Sequence, residues 1–195
     1  KTNDHVIMRE IRTRPGDLFK RSDIMRSQRE LSQMPFFDPE AFDVKVEPDP
    51  ARNEVDITYI LAEKSSDQIQ LQGGWGAGRV VGSLSLAFNN FSTRNIFKGD
   101  RWSPLPSGDG QRISLTAAAT GAYYQNYSIS FTEPWLGGKK PTALSVSLFK
   151  SIVNSVSGNG GMNITGLTIG LGKRLKSPDD YFTIYNGINF QQYKL

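Results

Sequence analysis

The sequence reads as a small α+β module followed by antiparallel strands of a transmembrane β-barrel. Three observations lead there. First, the 195-residue chain has two unlike compositions: residues 1–67 hold 11 Lys+Arg, 14 Asp+Glu and one glycine, Gly16, whereas residues 68–195 hold 12 Lys+Arg, 5 Asp+Glu and the other 18 glycines. Second, from Gln68 onward apolar and small polar residues alternate with period two, the period at which a strand's side chains change face. Third, the polar partners in that alternation are Ser, Thr, Gly, Asn and Gln. A sheet face turned to water normally carries Lys, Glu and Asp instead.

The first module reads helix, helix, strand, strand. Asp4 is placed to cap a short helix with Val6, Ile7 and Ile11 on one face. Arg14-Pro15-Gly16-Asp17 is a turn. Ser22 or Asp23 starts a second helix, with Ile24, Gln28 and Leu31 at helical spacing, and it stops before Pro35. Phe36 and Phe37 are core candidates under its end. Alternation over 42–47 gives a strand, 48–53 a turn, and 55–61 the returning strand with Val55, Ile57 and Tyr59 inward. Two strands make a marginal sheet, so a further strand is expected before Lys1.

The second part holds seven strand candidates. Ile69, Leu71 and Trp75 mark the first; Leu84, Leu86 and Phe88 the second; Ile113, Leu115, Ala117 and Ala119 the third. Tyr127, Ile129 and Phe131 mark the fourth; Leu144, Val146 and Leu148 the fifth; Leu167, Ile169 and Leu171 the sixth; Phe182, Ile184, Ile188 and Phe190 the seventh. Each segment suits the roughly 9–11 residues that a tilted strand needs to cross a bilayer. Leu84, Leu86, Ile129, Leu144, Val146, Leu167 and Ile169 are expected to face lipid. Phe88, Phe91, Trp102, Tyr123, Tyr124, Trp135, Tyr181 and Tyr193 fall near strand ends, where an interfacial girdle belongs. A barrel in lipid has to close, and seven is odd, so these strands are expected to be part of a larger barrel. A soluble β-sandwich is the alternative, separable by solubility without detergent.

Composition excludes several chemistries. The absence of cysteine removes disulfides and thiolate metal sites, and a single histidine, His5, leaves no Ser-His-Asp triad. His5 reads as a solvated helix-start residue. The longest apolar run, over 59–62, is far short of the about 20 residues of a membrane helix, and nothing at the start resembles a signal peptide. Arg79, Arg94, Lys98, Arg101, Lys139, Lys140, Lys173, Arg174 and Lys176 fall in turns between strands, not on one basic face, so nucleic acid is not an expected partner. The Gly73-to-Gly78 run lacks the Gly-Lys-Ser/Thr ending of a phosphate loop and reads as a tight turn. Glu133, beside Pro134, reads as a turn-shaping residue. Asp179 and Asp180 read as a turn rather than a calcium site. No metal, cofactor or catalytic residue is expected.

The opening stretch, Lys1-Thr2-Asn3-Asp4-His5-Val6-Ile7-Met8-Arg9-Glu10-Ile11 followed by Arg14-Pro15-Gly16-Asp17-Leu18-Phe19, resembles the polypeptide-transport-associated (POTRA) domain next to the barrel in BamA-type outer-membrane protein assembly factors. Residues 54–63 resemble that domain's last strand. Asn89-Asn90-Phe91, and the stretch from Phe131 through Glu133-Pro134-Trp135-Leu136-Gly137-Gly138, resemble the family's first two periplasmic turns. The insertion beginning at Trp102-Ser103-Pro104 resembles the Bacteroidetes branch. The resemblance implies a periplasmic POTRA-type domain over 1–67 lacking its first strand, and the N-terminal portion of a sixteen-stranded outer-membrane barrel over 68–195. It implies a non-enzymatic insertase that folds barrel clients by strand augmentation at a lateral gate. The gate edge would be the first barrel strand: Gln68, Ile69, Gln70, Leu71, Gln72, Gly73, Gly74 and Trp75. Gly73 and Gly74 would either weaken that strand or only shape the following turn. Implied partners are unfolded outer-membrane β-barrel proteins, accessory Bam-type lipoproteins, periplasmic chaperones and the lipid bilayer. A secretion transporter of the same superfamily, passing polypeptide through the barrel, is the alternative function.

Overall fold

The computed structural model describes residues 2–76, 78–102, 104–138, 140–155, 160–175, 177 and 181–195. Lys1, Ala77, Ser103, Lys139, Lys176, Pro178, Asp179 and Asp180, which entered the sequence reading, lie outside the described residues. The chain forms two compact units. One is Lys1–Ser66 with Ser92–Asp109; the other is Asp67–Phe91 with Gly110–Leu195.

The first unit holds α1 (Asp4–Met8), α2 (Arg21–Ser32) and the antiparallel pair β1 (Asp43–Asp49) and β2 (Glu54–Ile60). Asn3, not Asp4, occupies the N-cap position of α1, with extended backbone and no side-chain cap bond. Asp4 falls one residue inside, where a carboxylate still favours the helix N-terminus. Between the helices, Arg14 to Asp17 turns as expected. The Arg14 amide donates to Asp17 Oδ2 at 3.1 Å, the Asp17 amide donates back to the Arg14 carbonyl at 3.0 Å, and Gly16 takes a positive φ of 89°.

α2 buries Ile24 and Leu31 as expected, but the polar residue between them is Ser27 and not Gln28, which is exposed. Ser27 is small enough to be enclosed with its hydroxyl satisfied on both sides. Its Oγ donates to the Asp23 carbonyl at 2.7 Å and accepts from the Arg12 amide at 2.8 Å, tying the incoming loop to the helix. Val6, Phe36 and Phe37 form the core, with Ile7, Met34 and Leu61 against it. The two phenyl rings meet edge to face, 4.9 Å between centroids. β1 runs through Pro48 and Asp49, so the connection to β2 is shorter than expected. Asp49 Oδ1 closes it by accepting from the Ala51 amide, and Asn53 supplies the positive φ of 56°.

The second unit is one seven-stranded antiparallel meander: β3 (Gln68–Gly76), β4 (Arg79–Phe91), β5 (Gln111–Thr120), β6 (Tyr124–Glu133), β7 (Thr142–Asn154), β8 (Gly161–Arg174) and β9 (Thr183–Lys194). No helix among the described residues is long and apolar enough to cross a membrane, which leaves crossing by strands open. The register shows why these sequences pair. Directly opposite residues share a face, and Ile69, Leu86, Leu115, Ile129, Leu148, Leu167 and Phe190 form one apolar row across all seven strands. A second row joins Phe88, Ile113, Phe131, Val146, Ile169 and Ile188. Every residue expected to face lipid lies on this face.

The other face is polar and small. The row Ala87, Ser114, Ser130, Ser147, Thr168 and Asn189 runs alongside, and hydroxyls bond across strands: Ser85 with Thr116 at 3.0 Å, Ser114 with Ser130 at 2.6 Å. Such a ladder satisfies polar groups within the sheet, and the charges on this face, Arg79, Arg112 and Arg174, fall at strand ends. A sandwich would need a second sheet over one face; among the described residues this unit has a single sheet.

The glycines of β8 make room on the polar face. A Cβ at Gly170 would fall 1.8 Å from the Tyr185 hydroxyl oxygen and 2.6 Å from Ser145 Oγ, two groups that bond each other at 2.9 Å. Gly170→Ala is therefore expected to destabilise the sheet by about 1–3 kcal/mol through overpacking. Chemical unfolding of the full protein in lipid reads the loss, and pairing the change with Tyr185→Ser should restore most of it.

Candidate functional site

β3 pairs with β4 along one edge and, among the described residues, with nothing along the other. That edge presents a row of main-chain N–H and C=O groups, the chemistry that accepts an added strand. Gln68, Ile69, Gln70, Leu71, Gln72, Gly73, Gly74 and Trp75 all lie in β3 and all are exposed. Ile69, Leu71 and Trp75 share the apolar face, opposite Leu86, Leu84 and Val80, while Gln68, Gln70 and Gln72 lie on the hydroxyl-rich face.

Gly73 and Gly74 sit inside the strand rather than in the turn; the positive φ of the turn falls on Gly78, at 73°. Gly73 faces Gly82, so at this rung neither strand offers a side chain. A cross-strand pair contributes roughly 0.2–1 kcal/mol, and here that contribution is missing.

The turn motifs shift by a few residues. Asn89 to Phe91 complete β4, and the Gly110 amide donates to Asn90 Oδ1 at 2.9 Å. Phe131 to Glu133 complete β6, and the turn follows, with Gly137 and Gly138 at φ of 75° and 70°. Glu133 shapes that turn: Oε1 accepts from the Trp135 amide at 3.0 Å and Oε2 from Gln111 Nε2 at 2.6 Å. Trp102 belongs with the first unit rather than with the strand ends.

A second constellation, within the first unit, was not foreseen. Asp109 is only 3% exposed. Its Oδ1 accepts from Asn3 Nδ2 at 2.8 Å and its Oδ2 from Ser92 Oγ at 2.7 Å. His5 Nε2 lies 3.4 Å away and Arg94 Nε 3.9 Å, while Arg9 Nη2 donates to the Asp109 carbonyl at 3.4 Å. His5 is exposed, as the solvated reading expects, and it also has a partner. Ser92 Oγ also accepts from the Asn95 amide at 3.2 Å, and the Asn3 amide donates to the Gly108 carbonyl at 2.8 Å. The start of α1 and residues 92–109 are clasped through one buried carboxylate. The Ser92-x-x-Asn95 spacing was the only local hint; Asn3 lies 106 residues from Asp109.

Asp109→Ala would strand the Asn3 amide and the Ser92 hydroxyl, a loss of about 1–3 kcal/mol. Faster proteolysis within 92–109 in the intact protein would report it, with Asp109→Asn milder because one acceptor oxygen remains. In the same unit the Thr2 amide donates to Glu63 Oε1. Partial burial pushes the Glu63 carboxyl up, hydrogen bonds from Thr2 are among the interactions that pull it down, and the group lies below its ordinary range.

No group of three or more His, Cys, Asp or Glu among the described residues is placed to hold a metal ion.

Comparison with known proteins gives this geometry a family. Residues 1–64 match the POTRA family, described as a surface antigen variable number repeat, and residues 107–195 match the Omp85 superfamily domain. The chain is 29% identical over 150 residues to the outer membrane protein assembly factor BamA of Neisseria meningitidis serogroup B, covering 76% of this chain and 16% of that protein. It is 27% identical over 142 residues to the chloroplastic outer envelope protein 80 of Oryza sativa subsp. japonica, covering 71% of this chain and 19% of that protein. It therefore spans less than a fifth of the length of these relatives. The Omp85 superfamily consists of assembly or transport factors and not enzymes. A POTRA module leading into an antiparallel sheet with one apolar face matches both domain families in the same order, so the chain carries a POTRA domain and an Omp85 superfamily domain and is similar to BamA-type assembly factors.

Proposed function

We propose that the protein folds and inserts β-barrel clients into the bacterial outer membrane, with the open edge of β3 as the place where a client strand adds. In this reading residues 1–67 are a periplasmic POTRA-type module that docks clients, chaperones or accessory lipoproteins. Residues 68–195 are the N-terminal portion of the barrel. The observation that supports the reading is the pairing of β3: an exposed strand that, among the described residues, is paired along one edge, thinned at the Gly73–Gly82 rung, and begins a sheet whose apolar rows suit lipid. Recognition by main-chain groups suits a generalist, because it asks for no particular client sequence.

The reading is tested with full-length protein in liposomes. Unfolded outer-membrane barrel clients should fold faster than in empty liposomes, and the folded barrel should be protected from protease. No acceleration by a correctly inserted protein would overturn it.

A further inference from the structure

We propose that the loop between β4 and β5 is a membrane-interface anchor, in which Ile96, Phe97 and Trp102 enter the bilayer surface while Arg94 and Lys98 bind anionic phospholipid headgroups. The proposal rests on the strands crossing a membrane.

The loop shows an unusual distribution of side chains. Phe97 is 96% exposed, Trp102 47% and Ile96 40%, while Ser92, Asn95, Pro106 and Asp109 are buried. Polar side chains and Pro106 fill its inside, while three large apolar side chains stand exposed among Arg94, Lys98 and Asp100, an arrangement that water alone does not favour. The apolar tip does not collapse inward because the inside is already occupied and bonded. Asn95 Nδ2 donates to the Ser107 carbonyl at 2.9 Å, and the Ser92 amide donates to the Pro106 carbonyl at 2.9 Å. Above the Asp109 clasp, the Lys98 amide donates to the Asn95 carbonyl at 3.0 Å and Trp102 Nε1 to the Ile96 carbonyl at 3.3 Å. Phe97 is thus presented on a held backbone, with little ordering entropy left to lose on binding.

Charge then selects the occupant. Arg94 and Lys98 are exposed beside the apolar tip, Arg101 follows in sequence, and Asp100 is the one acid between them. Aromatic rings next to cations match a headgroup boundary, apolar below and anionic above.

The test uses full-length protein, free of other cysteines, in nanodiscs. An environment-sensitive dye is attached at Phe97→Cys, at Leu84→Cys on the lipid face, and at Leu18→Cys, an 82% exposed position of the first unit. Lipids carry a quencher either near the headgroup or at the bilayer centre. The dye at position 97 should lose most of its emission to the shallow quencher and little to the deep one. The loss should grow with the fraction of anionic lipid and shrink in the Arg94→Glu, Lys98→Glu double variant. The dye at position 18 should stay bright. Emission at 97 matching that at 18 overturns the anchor, as does a change that occurs only when client or accessory protein is added, which would make the loop a protein-docking element. If position 84 is not quenched by the deep probe, the membrane-crossing reading fails instead; quenching at 84 without quenching at 97 refutes only the anchor.

Discussion

Proline at one of the neighbouring positions Gln70 and Leu71 should abolish client folding by the full-length protein while leaving its barrel folded. Along a strand, successive N–H groups point to opposite edges, so one of these two donates toward β4 and the other toward the open edge. Proline facing β4 removes a rung to Ser85 or Leu84 and should weaken the barrel itself. Proline facing outward leaves that ladder whole and removes a donor that serves an incoming client strand or, between clients, the barrel's own last strand, with its ring obstructing the next rung. Two rungs lost at about 1 kcal/mol each predict a fall in client folding on the order of tenfold or more. Alanine at the same position should be mild, because the backbone is unchanged. Measuring barrel stability beside client folding separates the two positions. A pair of variants that both fold and both assemble clients normally would remove β3 from the mechanism.

The second large effect is a charge on the lipid face. Leu148→Arg, in the middle of the apolar row, should destabilise the barrel by about 2–4 kcal/mol, the cost of placing Arg near the bilayer midplane. Thr168→Arg, on the hydroxyl-rich face, should cost much less, since that face is open to polar groups. Thr168 is a better comparison than Ser145, whose hydroxyl bonds Tyr185 beside Gly170, where any larger group is crowded. Reversible unfolding in lipid measures both. Equal losses would mean that both faces are packed against protein.

The strands were legible because their information is local. A period of two survives in any seven-residue window, and Ile129 or Leu167 declares its face through its immediate neighbours. The helices of the first module were legible for the same reason, down to Ile24, Leu31 and the Phe36–Phe37 core. Boundaries failed where a short polar residue has several uses. Asn3 took the cap position expected of Asp4 and spent its side chain on Asp109 instead. Ser27 displaced Gln28 because its hydroxyl could be satisfied inside the fold and a longer amide could not be accommodated as cheaply. The Gly73-to-Gly78 run was read as a turn, yet three of its glycines are strand residues and only Gly78 needs a left-handed backbone. The Asp109 clasp was out of reach altogether. Its partners come from opposite ends of a hundred-residue span, and no local pattern marks such a pairing.

The central claim, that β3 accepts a client strand at its open edge, is tested most directly by disulfide capture. The 195 residues contain no cysteine, so Gln70→Cys in an otherwise cysteine-free full-length protein gives a single probe. Clients carrying one cysteine at successive positions of their C-terminal strand are stalled during assembly and oxidised. The account predicts capture at alternating client positions, the signature of an antiparallel or parallel ladder in fixed register. Capture only of the protein's own last strand while a client is stalled, or capture of all client positions equally, would contradict it.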